Sequence, residues 1–390
     1  MNVWIAAPTH PRVRALPLHF LLFAWSAGVA AVIAACSGWS IGHGAGDWRV
    51  FVAAGSFAGT PALLDPPEAW QSFFYLPAAA WVLVPFAHLP LAVSFAMNAA
   101  FMLGCAAAAG AVAARTYALP RTTAVATFAL WSPVVYAAAI IGQNAPLGLL
   151  LAQLSITGMA TRSVALTAIP IGLLLYKPTY ALPLIGLLVI RSRLRELFVV
   201  GALAAGWYGL SVAATGGTWS WPSAWAHLLA RFAAGDFTAN AAFAVSLPAL
   251  LIRAGTGLPI AVGVAVVIAL AAASVLRRVT AVEAGSAACL TGLALSPHAW
   301  AYDAVLALPM IGLCAAALEE PGRTRFLLAL SLPVPLFFAS RQLGFDPLAL
   351  IVVGGTFAWL ALRFNESLPR AVRRRESPER PHGRRLLSRP

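Results

Sequence analysis

Apolar stretches long enough to cross a lipid bilayer recur along this chain from Ala15 to Phe364, separated by short polar segments. A membrane-spanning helix needs roughly 20 predominantly apolar residues, within a range of about 17 to 25. Backbone polar groups inside lipid must be hydrogen-bonded within the protein, which a helix achieves within its own segment. The sequence therefore predicts an all-α polytopic membrane protein.

The composition excludes a soluble globular domain. Of the 390 residues, 61% are hydrophobic and 10% are charged, whereas soluble domains carry about 25% charged residues. The net charge of +13 would suggest a nucleic-acid partner in a soluble protein. Here most arginines stand at the ends of apolar runs and in the tail from Arg370 to Arg389, a pattern typical of anchoring beside anionic lipid. We therefore expect membrane lipids, and no nucleic acid, as partners.

The basic clusters predict the orientation, because cytoplasmic loops of membrane proteins carry an excess of arginine and lysine. They predict cytoplasmic N- and C-termini. They also require an even number of crossings between successive clusters, which are Arg12 and Arg14, Arg191 to Arg195, Arg277 and Arg278, Arg323 and Arg325, and the tail. The predicted organisation is a multipass domain over residues 1–365 and a basic, disordered cytoplasmic tail over residues 366–390.

The stretch from residue 74 to residue 190 allows two solutions. Five crossings satisfy the charge rule if residues 164–190 form one tilted helix with proline kinks. Alternatively, that run splits at Lys177, and residues 75–90 enter the membrane without crossing it. The two solutions place Gln143 on opposite sides of the membrane, and the sequence leaves both open.

Two segments are predicted to lie outside the bilayer core on the outer side. Residues 37–73 form the longest loop, after the first helix. Residues 216–245 form a second loop rich in aromatic residues, including Trp221, which suits short helices at the membrane interface.

Nucleotide and metal chemistry have no sequence signature in this chain. No Gly-rich loop of the P-loop or dinucleotide type stands between a strand and a helix. The four cysteines lie in apolar segments without CxxC spacing, which indicates buried free thiols and supports neither a disulfide framework nor a metal site. We therefore expect no metal and no nucleotide cofactor, and an enzyme of this shape would meet its substrates beside the membrane.

Asp47 lies just past the first helix, between a glycine-rich segment and Arg49. Glycines allow close backbone approach, and a carboxylate here would be near the bilayer surface in the outer compartment. Asp47 is a candidate general base. The alternative is a solvated loop acid beside Arg49.

Three further polar features interrupt the apolar tracts before residue 190. Tyr75 belongs to an aromatic segment followed by prolines, which either opens a helix towards a cavity or forms a plain interfacial belt. Gln143 and Asn144 are adjacent amides that either cap a helix turn or bind a polar ligand. Lys177, the only lysine of the chain, stands beside a proline break. It is either an anion-binding group for a phosphate or a lysine that snorkels to the interface.

A fourth polar junction joins two apolar runs between Ser296 and Asp303. The charge rule places it on the same outer side as Asp47. His298 and Asp303, five residues apart, either position an acceptor and relay a proton or belong to a solvated loop. Trp300 lies between them.

These motifs resemble, in their order, a known family. They are GDW at 46–48, FFYLP at 73–77, GQN at 142–144, a lysine–proline break followed by RSRLRE, and SPHAW at 296–300. The series is similar to the bacterial polyprenyl-phosphate-mannose-dependent mannosyltransferases of glycosyltransferase family 87, formerly a domain of unknown function, within the GT-C superfold. The resemblance covers about residues 20 to 320 and implies a GT-C-like bundle of about 11 to 13 transmembrane helices with a long first outer loop.

The resemblance also implies the activity and its site. It implies an inverting transfer of a sugar, mannose by family, from a polyprenyl-phosphate donor to a glycan or glycolipid acceptor on the extracytoplasmic face of the inner membrane. The acidic residue of the family's first loop corresponds to Asp47, its amides to Gln143 and Asn144, its lysine to Lys177, and its late histidine to His298. Under this topology Gln143 would be on the outer side, which favours the split at Lys177.

As a mechanism, Asp47 would accept the proton of the acceptor hydroxyl, with His298 as the rival base. Lys177 or Arg49 would neutralise the leaving phosphate, and the amides and Tyr75 would line the donor site. Trp300, Asp303 and Trp221 would hold the acceptor. The rival class is a transporter or flippase for a lipid or small molecule, which would use the same polar residues to line its path.

Overall fold

A computed structural model describes residues 46–130, 141–239, 244–296, 298–331 and 347–376, with five single positions between residues 28 and 42. These parts of the chain are helical, and the only extended pairing among them is one bridge between Ala244 and Trp300. The prediction of an all-α protein is therefore confirmed. The first helix predicted after Arg14 falls almost entirely outside the described residues.

In the first half of the described chain, short helices surround the candidate site and longer helices extend away from it. The α-helices are α1 (Trp48–Phe57), α2 (Ala80–Ala87), α3 (Leu91–Thr116), α4 (Arg121–Leu130), α5 (Ala145–Thr161), α6 (Val164–Leu173), α7 (Pro178–Ile190) and α8 (Leu194–Ala214). Short 3₁₀ turns at Pro61–Leu63, Ala69–Gln71, Pro77–Ala79 and Leu174–Tyr176 join several of them.

The second half continues the same pattern of apolar helices. Its α-helices are α9 (Trp221–Ala239), α10 (Leu247–Arg253), α11 (Leu258–Leu276), α12 (Ala281–Leu295), α13 (Leu308–Ala316), α14 (Gly322–Ser331), α15 (Pro347–Ala349) and α16 (Gly355–Glu376). A 3₁₀ segment, Ala301–Ala307, leads into α13, and a π-helical turn, Leu350–Gly354, connects α15 to α16.

Three described helices, α3, α8 and α11, are long and apolar enough to cross a membrane. Several shorter apolar helices accompany them, including α5, α7 and α12. The chain is thus a polytopic membrane protein, as predicted. The expected count of about 11 to 13 crossings and the GT-C arrangement remain predictions.

The chain breaks at Lys177, as the second of the two topological solutions predicts. The run from 164 to 190 is two helices, α6 with its 3₁₀ turn and then α7, and Lys177 lies between them. Helix α2 has eight residues and spans about 12 Å, too short to cross a hydrocarbon core of about 30 Å alone. The structure therefore adopts the split, and Gln143 lies at the same end of the bundle as Asp47, within hydrogen-bonding distance.

Contacts at the opposite end agree with the predicted basic clusters. The Arg191 guanidinium, after α7, donates to the backbone carbonyls of Leu276 and Val279 at 2.7 and 2.5 Å. Thr116, at the end of α3, is hydrogen-bonded to Thr157 near the end of α5 at 2.8 Å. The segments that carry two of the arginine clusters therefore meet at one end of the bundle, and the candidate site lies at the other.

Small residues allow the central helices to pack closely. A Cβ on Gly292 of α12 would lie 2.1 Å from Pro183 Cγ of α7, so only glycine fits there. Close approach through small residues is the usual way in which helices associate within a membrane. Helix α12 thereby packs against α7. This contact fixes the relative position of the helix that begins after Lys177 and the helix that ends before Ser296.

Helix α16 extends to Glu376, and the division between a multipass domain and a basic tail stays a prediction. Two sequence expectations are modified. The outer loop over 37–73 is partly helical, because apolar residues from Trp48 onwards form α1 and bury its Trp48 and Phe51 face. Of the cysteines, Cys105 and Cys289 are buried, whereas Cys314 is exposed on the bundle surface, where its apolar neighbours suit lipid.

Candidate active site

Two glycines bring the Asp47 segment against the Gln143 segment. Gly46 has φ +53° and Gly142 has φ +72°, the left-handed region that favours glycine. A Cβ on Gly46 would lie 2.9 Å from Ile141 Cα, and one on Gly142 would lie 2.5 Å from Trp48 Cβ. The two segments therefore interlock so closely that a side chain at either glycine position would clash with the facing segment.

This interlock places Asp47 and Gln143 in a chain of hydrogen bonds. Gln143 Nε2 donates to Asp47 Oδ2 at 2.6 Å, and Tyr75 Oη donates to Gln143 Oε1 at 2.9 Å. Burial raises the pKa of the Asp47 carboxyl above its usual range, and the Gln143 hydrogen bond and the charges of Lys177 and Arg49 partly oppose this. A carboxylate held by one amide and partly removed from water is suited to accept a proton.

Lys177 and Asp303 form a buried ion pair at the centre of the site. Lys177 Nζ lies 2.6 Å from Asp303 Oδ1, and the two side chains are 10% and 1% exposed. Lys177 also donates to Tyr180 Oη at 3.0 Å, and Tyr180 donates to the same carboxylate oxygen. Asp303 Oδ2 accepts the backbone N–H of Trp300 at 2.9 Å. Each buried charge is thus paired and hydrogen-bonded, as burial in low dielectric requires.

Aromatic rings connect this pair to the Asp47 chain. Lys177 Nζ lies 4.3, 5.1 and 5.8 Å from the ring centroids of Tyr180, Tyr302 and Tyr75. Ring faces attract a cation at such distances. The Tyr75 ring stacks on Tyr176 with centroids 5.9 Å apart. The site is therefore one continuous polar and aromatic cluster, from Asp47 through Gln143, Tyr75 and Lys177 to Asp303.

His298 joins this cluster through Trp300. Its Nδ1 accepts a hydrogen bond from Trp300 Nε1 at 3.2 Å, and the Trp300 ring contacts Tyr302 with centroids 5.7 Å apart. The segment that carries His298 and Trp300 is held in place by Val245, whose backbone N–H donates to the carbonyl of Ala299 at 2.8 Å. His298 is half-buried and lies on the Asp303 side of the cluster.

Three other predicted residues lie at the margin of the cluster or outside it. The Asn144 backbone carbonyl and side-chain oxygen lie 3.3 and 3.5 Å from Tyr176 Oη, which places Asn144 beside the aromatic stack. Arg49 is exposed, and its guanidinium lies 4.8 Å from the Trp70 ring centroid. Trp221 is buried in a separate apolar cluster with residues including Leu64. The structure therefore gathers the predicted base Asp47 with Gln143, Tyr75 and Lys177 of the predicted donor site. It leaves Arg49 exposed and Trp221 in another cluster.

Sequence reasoning missed three tyrosines that complete the site, Tyr176, Tyr180 and Tyr302. The signal was present for two of them, because the only lysine is flanked by Tyr176 and by Tyr180 three residues later. Residues three apart lie on one helix face, so a buried lysine at a helix start meets the tyrosine in the next turn.

The described residues offer no metal centre, since they contain no group of three or more His, Cys, Asp or Glu side chains able to hold an ion. Of the described cationic side chains near Asp47, Lys177 is held inside the cluster and Arg49 is exposed.

Comparison with known proteins gives one family match. The pattern of glycosyltransferase family 87 matches residues 73–309, which is more than half of the chain and includes Tyr75, Gln143, Lys177, His298 and Asp303. No curated protein and no solved structure matches the chain.

Proposed function

The chain belongs to glycosyltransferase family 87, and we propose that it transfers mannose from a polyprenyl-phosphate donor to a glycan or glycolipid acceptor. The reaction takes place on the extracytoplasmic face of the cell membrane and inverts the anomeric configuration. The observation that supports this proposal best is the convergence of Asp47 and Lys177 in one cluster. A glycosyl transfer from a lipid phosphate needs a base for the acceptor and a cation for the leaving group.

Asp47 acts as the base in this proposal. Its carboxylate accepts the proton of an acceptor hydroxyl while the oxygen attacks the anomeric carbon of the donor. The bond between that carbon and the phosphate oxygen breaks at the same time, and polyprenyl phosphate leaves with the electron pair. Gln143 supports the step, because its amide holds Asp47 Oδ2 in place and leaves the other carboxylate oxygen to face the acceptor. His298 is the second candidate base.

Lys177 stabilises the leaving phosphate. An ammonium group has three N–H donors, and contacts with Asp303 and Tyr180 use two of them. The third can bind a phosphate oxygen as negative charge develops there. In a water-poor site such an interaction is worth more than in bulk water. Asp303 and Tyr180 then hold Lys177 at a fixed position before the donor arrives.

The test is transfer of radiolabel from polyprenyl-phosphate mannose in membranes that carry the wild type or Asp47→Asn. Asp65→Asn is the matched control, since Asp65 is an exposed acid of the same outer segment. We expect transfer by the wild type and by Asp65→Asn, and a loss of at least about 100-fold in Asp47→Asn, because general base catalysis contributes about 10²- to 10⁴-fold.

Two outcomes would contradict the proposal. Transfer that survives in Asp47→Asn would exclude Asp47 as the base and leave His298. No transfer by the folded wild type, with a broad acceptor mixture supplied, would exclude the proposed donor and favour a lipid transporter.

A further inference from the structure

A small cavity lies between α7, α12 and the segment that carries His298 and Asp303. Its volume is about 10 Å³, and one water molecule needs roughly 10 to 15 Å³. A sugar ring, a phosphate group or a lipid chain is therefore too large for it. Asp303 and Tyr180 line this cavity, so its occupant contacts the two residues that hold Lys177.

Two hydroxyl groups in the cavity wall make no hydrogen bond with the described residues. They are Thr179 Oγ1, in the first turn of α7, and Ser296 Oγ, directly after α12, and both atoms are buried. Buried polar atoms are usually paired with protein groups or with ordered water, because a missing partner costs free energy. Since the two hydroxyls come from different elements and line one small cavity, a single small molecule can serve both.

The Asp303 carboxylate can accept one more hydrogen bond. Its Oδ1 accepts from Lys177 Nζ at 2.6 Å and from Tyr180 Oη, and its Oδ2 accepts the Trp300 N–H at 2.9 Å. An ionised carboxylate has about four lone-pair sites, so these three described donors leave one site on Oδ2. A donor inside the cavity that Asp303 lines can use it.

The charges of the wall favour an uncharged ligand. Lys177 already neutralises Asp303 at 2.6 Å, so an added cation would meet the ammonium group and an anion would meet the carboxylate. Water is uncharged, donates and accepts, and typically makes about three hydrogen bonds when it is buried. Thr179, Ser296 and Asp303 supply three partners of the right kind.

We propose that the cavity holds one structural water molecule, which bridges the Thr179 and Ser296 hydroxyls to the Asp303 carboxylate. The water donates to Asp303 and so helps to keep this side chain ionised and fixed opposite Lys177. Thr179 and Ser296 are then positioning residues, because they act on the leaving phosphate only through the water, Asp303 and Lys177. The water site stands without the proposed transfer, whereas the positioning role rests on it.

The first test is an electron cryomicroscopy map of the purified full-length protein in lipid nanodiscs, at a resolution that shows ordered water. We expect one peak at about 2.5 to 3.0 Å from Thr179 Oγ1, Ser296 Oγ and Asp303 Oδ2. The peak should persist when potassium replaces sodium in the buffer. No peak in the wild type, or a peak that disappears with sodium and therefore marks a cation, would overturn the inference.

The second test separates the hydroxyl from the shape of residue 179. Thr179→Val keeps the shape and removes the hydroxyl, whereas Thr179→Ser keeps the hydroxyl and removes a methyl group. We expect Thr179→Val to lower kcat by about 2- to 10-fold, the worth of one neutral hydrogen bond. KM should stay the same, because charge develops on the leaving phosphate only in the transition state. Thr179→Ser should recover most of the loss, and the reverse order would indicate packing and overturn the positioning role.

A shared water also predicts that the two hydroxyls are coupled. Ser296→Ala should lower kcat by a similar factor, and the double variant Thr179→Val/Ser296→Ala by less than the product of the two factors, since the same water is lost. Thr291→Val is the matched control, because the Thr291 hydroxyl is buried in α12 and donates to the Ala287 carbonyl of its own helix at 2.7 Å. We expect it to leave kcat unchanged.

The two tests fail independently. Unchanged kcat in Thr179→Val and Ser296→Ala, or losses that multiply in the double variant, would overturn the positioning role. A wild type that shows the density peak but transfers no sugar refutes the proposed function and supports the water site.

Discussion

The ion pair between Lys177 and Asp303 gives the sharpest test of the structure. Asp303→Asn keeps a side-chain oxygen for the Trp300 N–H but removes the charge that faces Lys177 at 2.6 Å. Because both side chains are at least nine-tenths buried, the remaining ammonium is left in low dielectric without its partner. Removal of one partner from a buried pair costs about 3 to 5 kcal/mol, and we expect a loss of that size in the free energy of unfolding.

The double variant Lys177→Met/Asp303→Asn removes both charges. Replacement of a whole buried pair by uncharged side chains is often neutral, so we expect it to unfold within about 1 kcal/mol of the wild type. The coupling energy from the full double-mutant cycle should then be at least about 2 kcal/mol. Glu320→Gln is the control, because Glu320 is half-exposed and pairs with Arg323 at 3.8 Å. We expect it to cost less than about 1 kcal/mol.

The assay is unfolding of the purified protein by titration with a denaturing detergent in mixed micelles. Two results would refute the reasoning. One is an Asp303→Asn loss no larger than that of Glu320→Gln. The other is a double variant whose loss equals the sum of the two single losses, because the charges would then not interact.

Two further predictions concern the Asp47 end of the site. Since burial raises the pKa of Asp47, and the base must be ionised, transfer should fall with decreasing pH at values above the usual aspartate range. Gln143→Leu removes an interaction that lowers this pKa, so the acid limb of kcat/KM should move to higher pH; an unmoved limb would exclude Asp47 as the titrating base. Gly142→Ala should destabilise by about 2 to 5 kcal/mol, from the left-handed backbone and the clash with Trp48. Gly206→Ala, with open space around it, should be neutral or slightly stabilising in the same unfolding titration.

Several members of the candidate site could be predicted from the sequence because polar residues are conspicuous in apolar tracts. A lysine, an amide pair or a carboxylate inside such a tract needs a partner, whatever the fold. Gln143 and Lys177 were singled out on this ground, and Asp47 was singled out as a carboxylate in a glycine-rich outer loop. The structure brings the three into one cluster. Trp221 was chosen for its aromatic loop alone, and it packs in a different apolar cluster.

The partners themselves could not be predicted, because they are distant in the chain. Lys177 was predicted to bind a phosphate, and the structure adds a partner that the sequence did not indicate, Asp303, 126 residues away. Asp303 was predicted to bind the acceptor, and the described contacts of its carboxylate are with Lys177, Tyr180 and the Trp300 backbone. Local spacing carries no information on which of several polar residues will meet.

The sequence by itself determined the class of fold, since a chain with so few charged residues must place its apolar surface in lipid. It also restricted the path between residues 74 and 190 to two solutions. The tertiary structure decided which segments meet, because the run from 164 to 190 folds as two helices with Lys177 between them and Gln143 reaches Asp47. The meeting of Gln143 and Asp47 depends on the interlock of Gly46 and Gly142 with the facing segments, a contact between residues about a hundred positions apart.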